Sequence, residues 1–158
     1  VMKTPNLYLD TSIIGGYFDD EWKDATRELW RQMEVGQWRF VTSLVAAEEL
    51  EQAPERVVEL FQRSFSADSL LEMTGEIQEL AAAYVTHGVV SGKYTDDARH
   101  VAACTVYGIG LLVSWNFRHL VNVRREAGFN GVNMLKGYPS VRIVNPLELI
   151  YEPEDQSL

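Results

Sequence analysis

The sequence predicts an α/β domain of three layers, with helices on both faces of a mainly parallel central sheet. Short apolar runs bounded by turn residues alternate with longer segments whose apolar residues recur at helical spacing. The 158 residues, 46% of them hydrophobic, are enough for one core burying about two thirds of the unfolded surface. No repeat, low-complexity tract or linker interrupts the alternation, so residues 1–150 read as one domain. The acidic, apolar-poor residues 151–158 read as a flexible tail.

The elements follow in order. Asn6-Leu7-Tyr8-Leu9 is a buried first strand that ends at Asp10. Residues 20–35 form a helix with Trp22, Leu29, Trp30 and Met33 on its apolar side, stopped by Gly36. Residues 37–42 alternate polar and apolar as a second strand, and Ser43 caps a helix over residues 44–52 that Pro54 ends. Further helices cover residues 55–65 and 74–89. Thr95 caps another, which runs through Asp97, Val101 and Cys104 to about residue 107. Gly108-Ile109-Gly110 then turns into the strand Leu111-Leu112-Val113-Ser114, a helix-to-strand unit of the parallel-sheet kind. The last strand covers residues 141–144, closed by Asn145-Pro146.

Composition narrows the function. The single cysteine, Cys104, excludes an internal disulfide and a cysteine-based zinc site, and suits a reducing compartment. No apolar run approaches the roughly 20 residues that span a bilayer, and the first residues show no signal-peptide core, so a soluble, cytoplasmic protein is expected. The net charge of −9 argues against an extended phosphate-binding surface. Its distribution is uneven, however: residues 91–142 carry seven basic side chains against three acidic ones, a hint of nucleic-acid contact.

In parallel sheets, ligands bind outside the carboxyl ends of the strands. Asp10 closes the first strand, Glu48-Glu49 lies on the helix entered from the second, Asp96-Asp97 opens a helix, and Ser114-Trp115-Asn116 follows a later strand. Folding would bring all four places together at one edge of the sheet. Carboxylates packed that closely repel unless a cation neutralises them, and oxygen donors favour Mg²⁺ or Mn²⁺ over zinc. Phosphodiester hydrolysis is the matching reaction class. Each acid also has an ordinary structural reading: an Asx-turn for Asp10, solvated helix positions for Glu48 and Glu49, and charges complementing a helix dipole for Asp96 and Asp97.

At these residues the sequence resembles the PIN-domain family, in particular VapC-like toxins of prokaryotic toxin–antitoxin pairs. Leu7-Tyr8-Leu9-Asp10-Thr11-Ser12 is similar to the family's opening strand, first acid and hydroxyl residue. The segment from Val41 to Leu50 is similar to the family's Ser followed by a helical Glu-Leu pair, and its register selects Glu49 over Glu48. Asp97-Ala98 resembles the third acidic motif, which opens a small-residue helix. Leu112-Val113-Ser114-Trp115-Asn116-Phe117 resembles the segment after the strand, where many relatives carry an Asp at the place of Asn116.

The resemblance implies a metal-dependent endoribonuclease in which Asp10 and Asp97 hold Mg²⁺ or Mn²⁺. Glu49 binds it through water or helps activate the nucleophile, Asn116 completes the shell, and Ser12 and Ser114 support the carboxylates. Because an amide lacks the charge that would help hold a second ion, Asn116 favours one-metal chemistry. Arg118, Arg124 and Arg125 would grip RNA phosphates, though Arg124 and Arg125 have Glu126 as an alternative partner. Trp115, Phe117 and Tyr138 would stack on bases or join the core. His100 and His119, each after an arginine on a predicted helix, read as surface or satisfied core residues. A small antitoxin and a homodimer are the implied partners. The competing readings are a PIN-fold module that binds RNA or a protein without cutting, which Asn116 favours, and a phosphatase with Asp10 as nucleophile. That second class would want an Asp where Ser12 stands.

Overall fold

Successive residues of a strand point to opposite faces, and in β1 (Asn6–Leu9) this sends Tyr8 into one core and Leu7 and Leu9 into another. In the computed structural model, which describes residues 3–151, the remaining strands split the same way. They are β2 (Arg39–Ser43), β3 (Leu70–Leu71), β4 (Leu111–Val113) and β5 (Arg142–Val144). Val41, Leu112 and Ile143 join Tyr8, whereas Phe40, Val113 and Val144 join Leu7 and Leu9. A strand apolar on both faces needs cover on both, so helices are required on each side.

The first core takes α5 (Gly75–Thr86), α6 (Thr95–Val106) and α7 (Val123–Lys136). The second takes α1 (Thr11–Gly16), α2 (Lys23–Glu34), α3 (Leu44–Glu49) and α4 (Glu55–Ser64), with α8 (Leu147–Ile150) at its margin. Each fully buried Leu, Ile or Phe contributes about 1.5–3 kcal/mol, so the two faces supply most of the stability. Ala98, Ala102 and Ala103 of α6 are fully buried, which lets that helix lie close to the sheet.

The sheet is parallel throughout, in the order β3-β2-β1-β4-β5. Tyr8 pairs with Val41 on one side and Leu112 on the other. Strand order therefore reverses between β1 and β4, the kind of switch point that opens a crevice at the carboxyl ends. Asp10 N–H still bonds Val113 O, at 3.2 Å, so Asp10 and Ser114 emerge side by side there.

The three-layer α/β expectation holds, with corrections to individual elements. The helix expected to reach residue 52 stops at Glu49, and Pro54 begins α4 rather than ending α3. Ser43 does cap α3, accepting from Val45 N–H at 3.3 Å. Thr95 is not a cap: it is the first residue of α6, and its hydroxyl donates to Gly92 O at 2.7 Å. Asp10-Thr11-Ser12 enters a six-residue helix rather than a simple turn, with Asp10 as its N-cap. His119 lies in a turn, not on a helix. The predicted tail falls outside the described residues from 152 onward. Among the described residues no helix is long and apolar enough to cross a membrane.

Candidate active site

Asp10 is 3% exposed, yet each of its oxygens is met by a donor. Oδ1 accepts the Ser12 hydroxyl at 2.6 Å and the Ile13 N–H at 3.3 Å, and Oδ2 accepts the Ser114 hydroxyl at 2.6 Å. Burial nevertheless pushes the carboxyl above its ordinary range, against the opposing pull of His100, Ser114, Ser12 and Ile13. Ser12 and Ser114 are themselves anchored, since Ser12 Oγ accepts Trp115 N–H and Ser114 Oγ accepts Asn116 N–H, both at 2.9 Å. The two serines thus bond Asp10 as well as the backbone of the loop that presents Asn116.

Glu49 ends α3, and its side chain reaches over α1 and α6. Oε1 accepts the Thr11 hydroxyl at 2.6 Å and lies 2.6 Å from His100 Nε2. Burial alone would raise its pKa, but the His100 and Thr11 hydrogen bonds and the nearby His100 and Arg99 charges outweigh burial and hold it low. Glu48 points elsewhere, pairing with Arg99 at 3.0 Å. The choice of Glu49 over Glu48 therefore agrees with the geometry, as two successive helical side chains diverge by about 100°.

Asp97 is half-buried in the first turn of α6. Burial, followed by the charges of Asp10, Glu49 and Asp96, pushes its carboxyl up to about 6, with His100 opposing. Asn116 Nδ2 donates to Asp97 Oδ2 at 3.4 Å, and Asn116 Oδ1 accepts His119 N–H at 3.0 Å. Asp10, Thr11, Ser12, Glu49, Asp97, His100 and Asn116 line one open pocket of about 280 Å³. Of the acids, amide and serines expected at the site, only Ser114 is not in its lining, and it bonds Asp10 from beneath, whereas Arg118, Arg124 and Arg125 do not line it.

The donor set is oxygen-rich, as a hard divalent ion requires, and Asp97 is raised first by burial and then by the neighbouring carboxylates. Among the described residues no three acidic, imidazole or thiol groups lie close enough together to hold one ion. Glu49 is engaged by Thr11 and His100, and both oxygens of Asp10 are engaged by serine hydroxyls.

Thr11 and His100 are the residues that sequence reasoning missed. His100 takes the satisfied-core alternative, 1% exposed with both ring nitrogens hydrogen-bonded, and in addition backs the pocket. Its sequence signal was its position three residues after Asp97, on the same helix face. His119 lies against Tyr94 with ring centroids 3.8 Å apart and planes tilted by 31°, and burial and then the Arg125 and Arg118 charges lower its pKa. Trp115 is core, stacked on Trp22, and Phe117 is exposed. Arg125 donates to Val89 O, and Glu126 pairs with Arg142, so neither Arg124 nor Arg125 takes Glu126. Arg118 is exposed, and Arg124 lines a surface cleft with Arg125 and His87.

The sequence matches no family model, and no curated sequence matches it significantly. Three-dimensional comparison does find similar folds. A chain in the crystal structure of FitAcB from Neisseria gonorrhoeae superposes with a TM-score of 0.58 at 12% identity, covering 90% of this chain and 99% of that one. A chain of FitAB bound to IR36 DNA gives 0.56 at 12% identity over 94% and 98%. One of VapBC2 from Rickettsia felis, bound to a DNA fragment from their promoter, gives 0.56 at 12% over 89% and 98%. At this identity the likeness speaks to architecture, and with the strand order and element sequence above, this chain has the PIN-like α/β fold.

Proposed function

We propose that this chain is a metal-dependent endoribonuclease and the toxin of a toxin–antitoxin pair. The observation behind this reading is the convergence of Asp10, Glu49 and Asp97, from three separate elements, on one pocket at the switch point of the sheet. Asp10 and Asp97 would hold Mg²⁺ or Mn²⁺, which would supply charge neutralisation at the phosphate and a more acidic bound water. Ser12 and Ser114 keep Asp10 turned toward the pocket. Glu49 has Oε2 free to accept a proton from the attacking water. Asn116 supplies an amide beside Asp97, and Arg118, Arg124 and Arg125 would hold flanking RNA phosphates.

The structural neighbours are named as two-component assemblies, two of them on DNA. For this chain we take the corresponding partner to be a small antitoxin protein that covers the pocket, with a homodimer as the working assembly. A mixed single-stranded RNA pool incubated with wild type and Asp97→Ala, with Mg²⁺, Mn²⁺ or excess EDTA, tests the reading. Metal-dependent cutting should fall by about a thousandfold or more in the variant, the several kcal/mol that a metal holder supplies. Asn116 and the engaged Glu49 favour a second reading, a module of the same fold that binds RNA or a protein without cutting. Failure of a folded, partner-free sample to cut with any metal would select it.

A further inference from the structure

Both nitrogens of the His100 ring are engaged. Nδ1 lies 2.7 Å from the Tyr8 hydroxyl, and Nε2 lies 2.6 Å from Glu49 Oε1 and 3.3 Å from Thr11 Oγ1. The Tyr8 hydroxyl lies 2.6 Å from Ser43 Oγ, which accepts Val45 N–H at the start of the helix that carries Glu49. A carboxylate only accepts, so Nε2 bears a proton in either charge state of the ring; in the neutral ring Nδ1 takes the Tyr8 proton and the Tyr8 oxygen that of Ser43, and in the charged ring Nδ1 donates to Tyr8 instead. These hydrogen bonds link β1, which leads to Asp10, with both ends of α3 and with α6, which carries Asp97.

Glu49 is the last residue of a short helix and its side chain is 28% exposed, held by its hydrogen bonds with His100 and Thr11. His100 and Thr11 both bind Oε1, which leaves Oε2 as the oxygen offered to the pocket. We propose that His100 is a positioning residue that acts through Glu49, fixing Oε2 where the attacking water would be held. This role rests on the nuclease reading above. Tyr8 and Ser43 then serve the site from beneath without touching anything bound there.

A double-mutant cycle tests it. His100→Ala should lower kcat for RNA cleavage about tenfold with KM nearly unchanged, and His100→Gln, whose amide reaches the same oxygen, should restore most of the loss. In a Glu49→Gln background, the same His100→Ala change should cost less than about twofold. Independently of activity, long-range ¹H–¹⁵N spectra of the metal-free protein should show His100 protonated at Nε2, a signature that Glu49→Ala perturbs. Equal losses in both Glu49 backgrounds, or a ring protonated at Nδ1 alone, would overturn the positioning role. Absence of cleavage by wild type would instead overturn the nuclease reading, and the positioning role with it.

Discussion

Two tyrosines head two buried hydrogen-bond networks in the same core, and they end differently. Tyr84 donates to Asn133 Oδ1 at 2.5 Å beside Thr105, and Asn133 bonds Asn130, which in turn holds both backbone groups of Val141. Every group there is neutral, and the network closes on α5, α6, α7 and the chain entering β5. Tyr8 starts from a similar position, with its hydroxyl also driven up by burial, but its network runs through His100 to a carboxylate at the pocket. The closed network fixes helices against one another. The open one uses the same kind of bonds to orient a charged group that water can reach, so its value lies in geometry more than in stability.

The sharpest way to break this contrast is Tyr84→Phe. It leaves Asn133 Oδ1 buried without its donor, and should cost about 1–3 kcal/mol in urea unfolding with RNA cleavage per folded molecule unchanged. Equal damage to activity would show that the closed network also serves the pocket.

A smaller effect separates the two by pH. Asp97 binds its proton more tightly folded than unfolded, at about 6 against an ordinary value of 3.8, so its charge opposes folding. That opposition is absent below about pH 4, grows as pH rises through 6, and is complete above it. Metal-free Asp97→Asn should therefore be more stable than wild type at pH 8 by about 1–2 kcal/mol, discounted for partial exposure. Denaturation midpoints should converge near pH 4, and saturating Mg²⁺ should erase or reverse the gap at pH 8. A gap that does not change with pH would refute the charge-crowding account.

The smallest expected effect is at Arg124, outside both networks. Arg124→Ala should leave stability within about 0.5 kcal/mol and lower the salt slope of RNA binding by about one ion. An unchanged slope would remove Arg124 from the nucleic-acid surface.

The positions of Asp10 and Asp97 were legible in the sequence because one follows a strand and the other opens a helix, where chain direction dictates placement, whereas Glu49, at the end of α3, was picked out by the family register. β1 and β4 were legible because both faces are buried and their apolar runs are continuous, and β2 because polar and apolar residues alternate. Short elements were not. β3 has two residues and is defined only by its pairing with Thr42 and Ser43, and α1 is set by Asp10 as a cap rather than by periodicity. Thr95 resembles a cap by residue type, yet the preceding 3-10 turn over Gly92–Tyr94 moves the helix start onto it. His100 escaped because its sequence neighbours are ordinary; its meaning comes from Tyr8 and Glu49, which lie 92 and 51 residues away.

The stack of Trp22 on Trp115, with centroids 4.3 Å apart and planes 17° from parallel, has an optical consequence. Indoles this close exchange excitation, so their circular dichroism depends on the angle between two transition dipoles. Trp115 is pinned by its ring N–H to Thr26 and by its backbone to Ser12, the same serine that bonds Asp10. Any occupant that shifts Asp10 and Ser12 would rotate one chromophore against the other. The protein thus carries a label-free spectroscopic gauge of its own pocket, one residue away from Asn116.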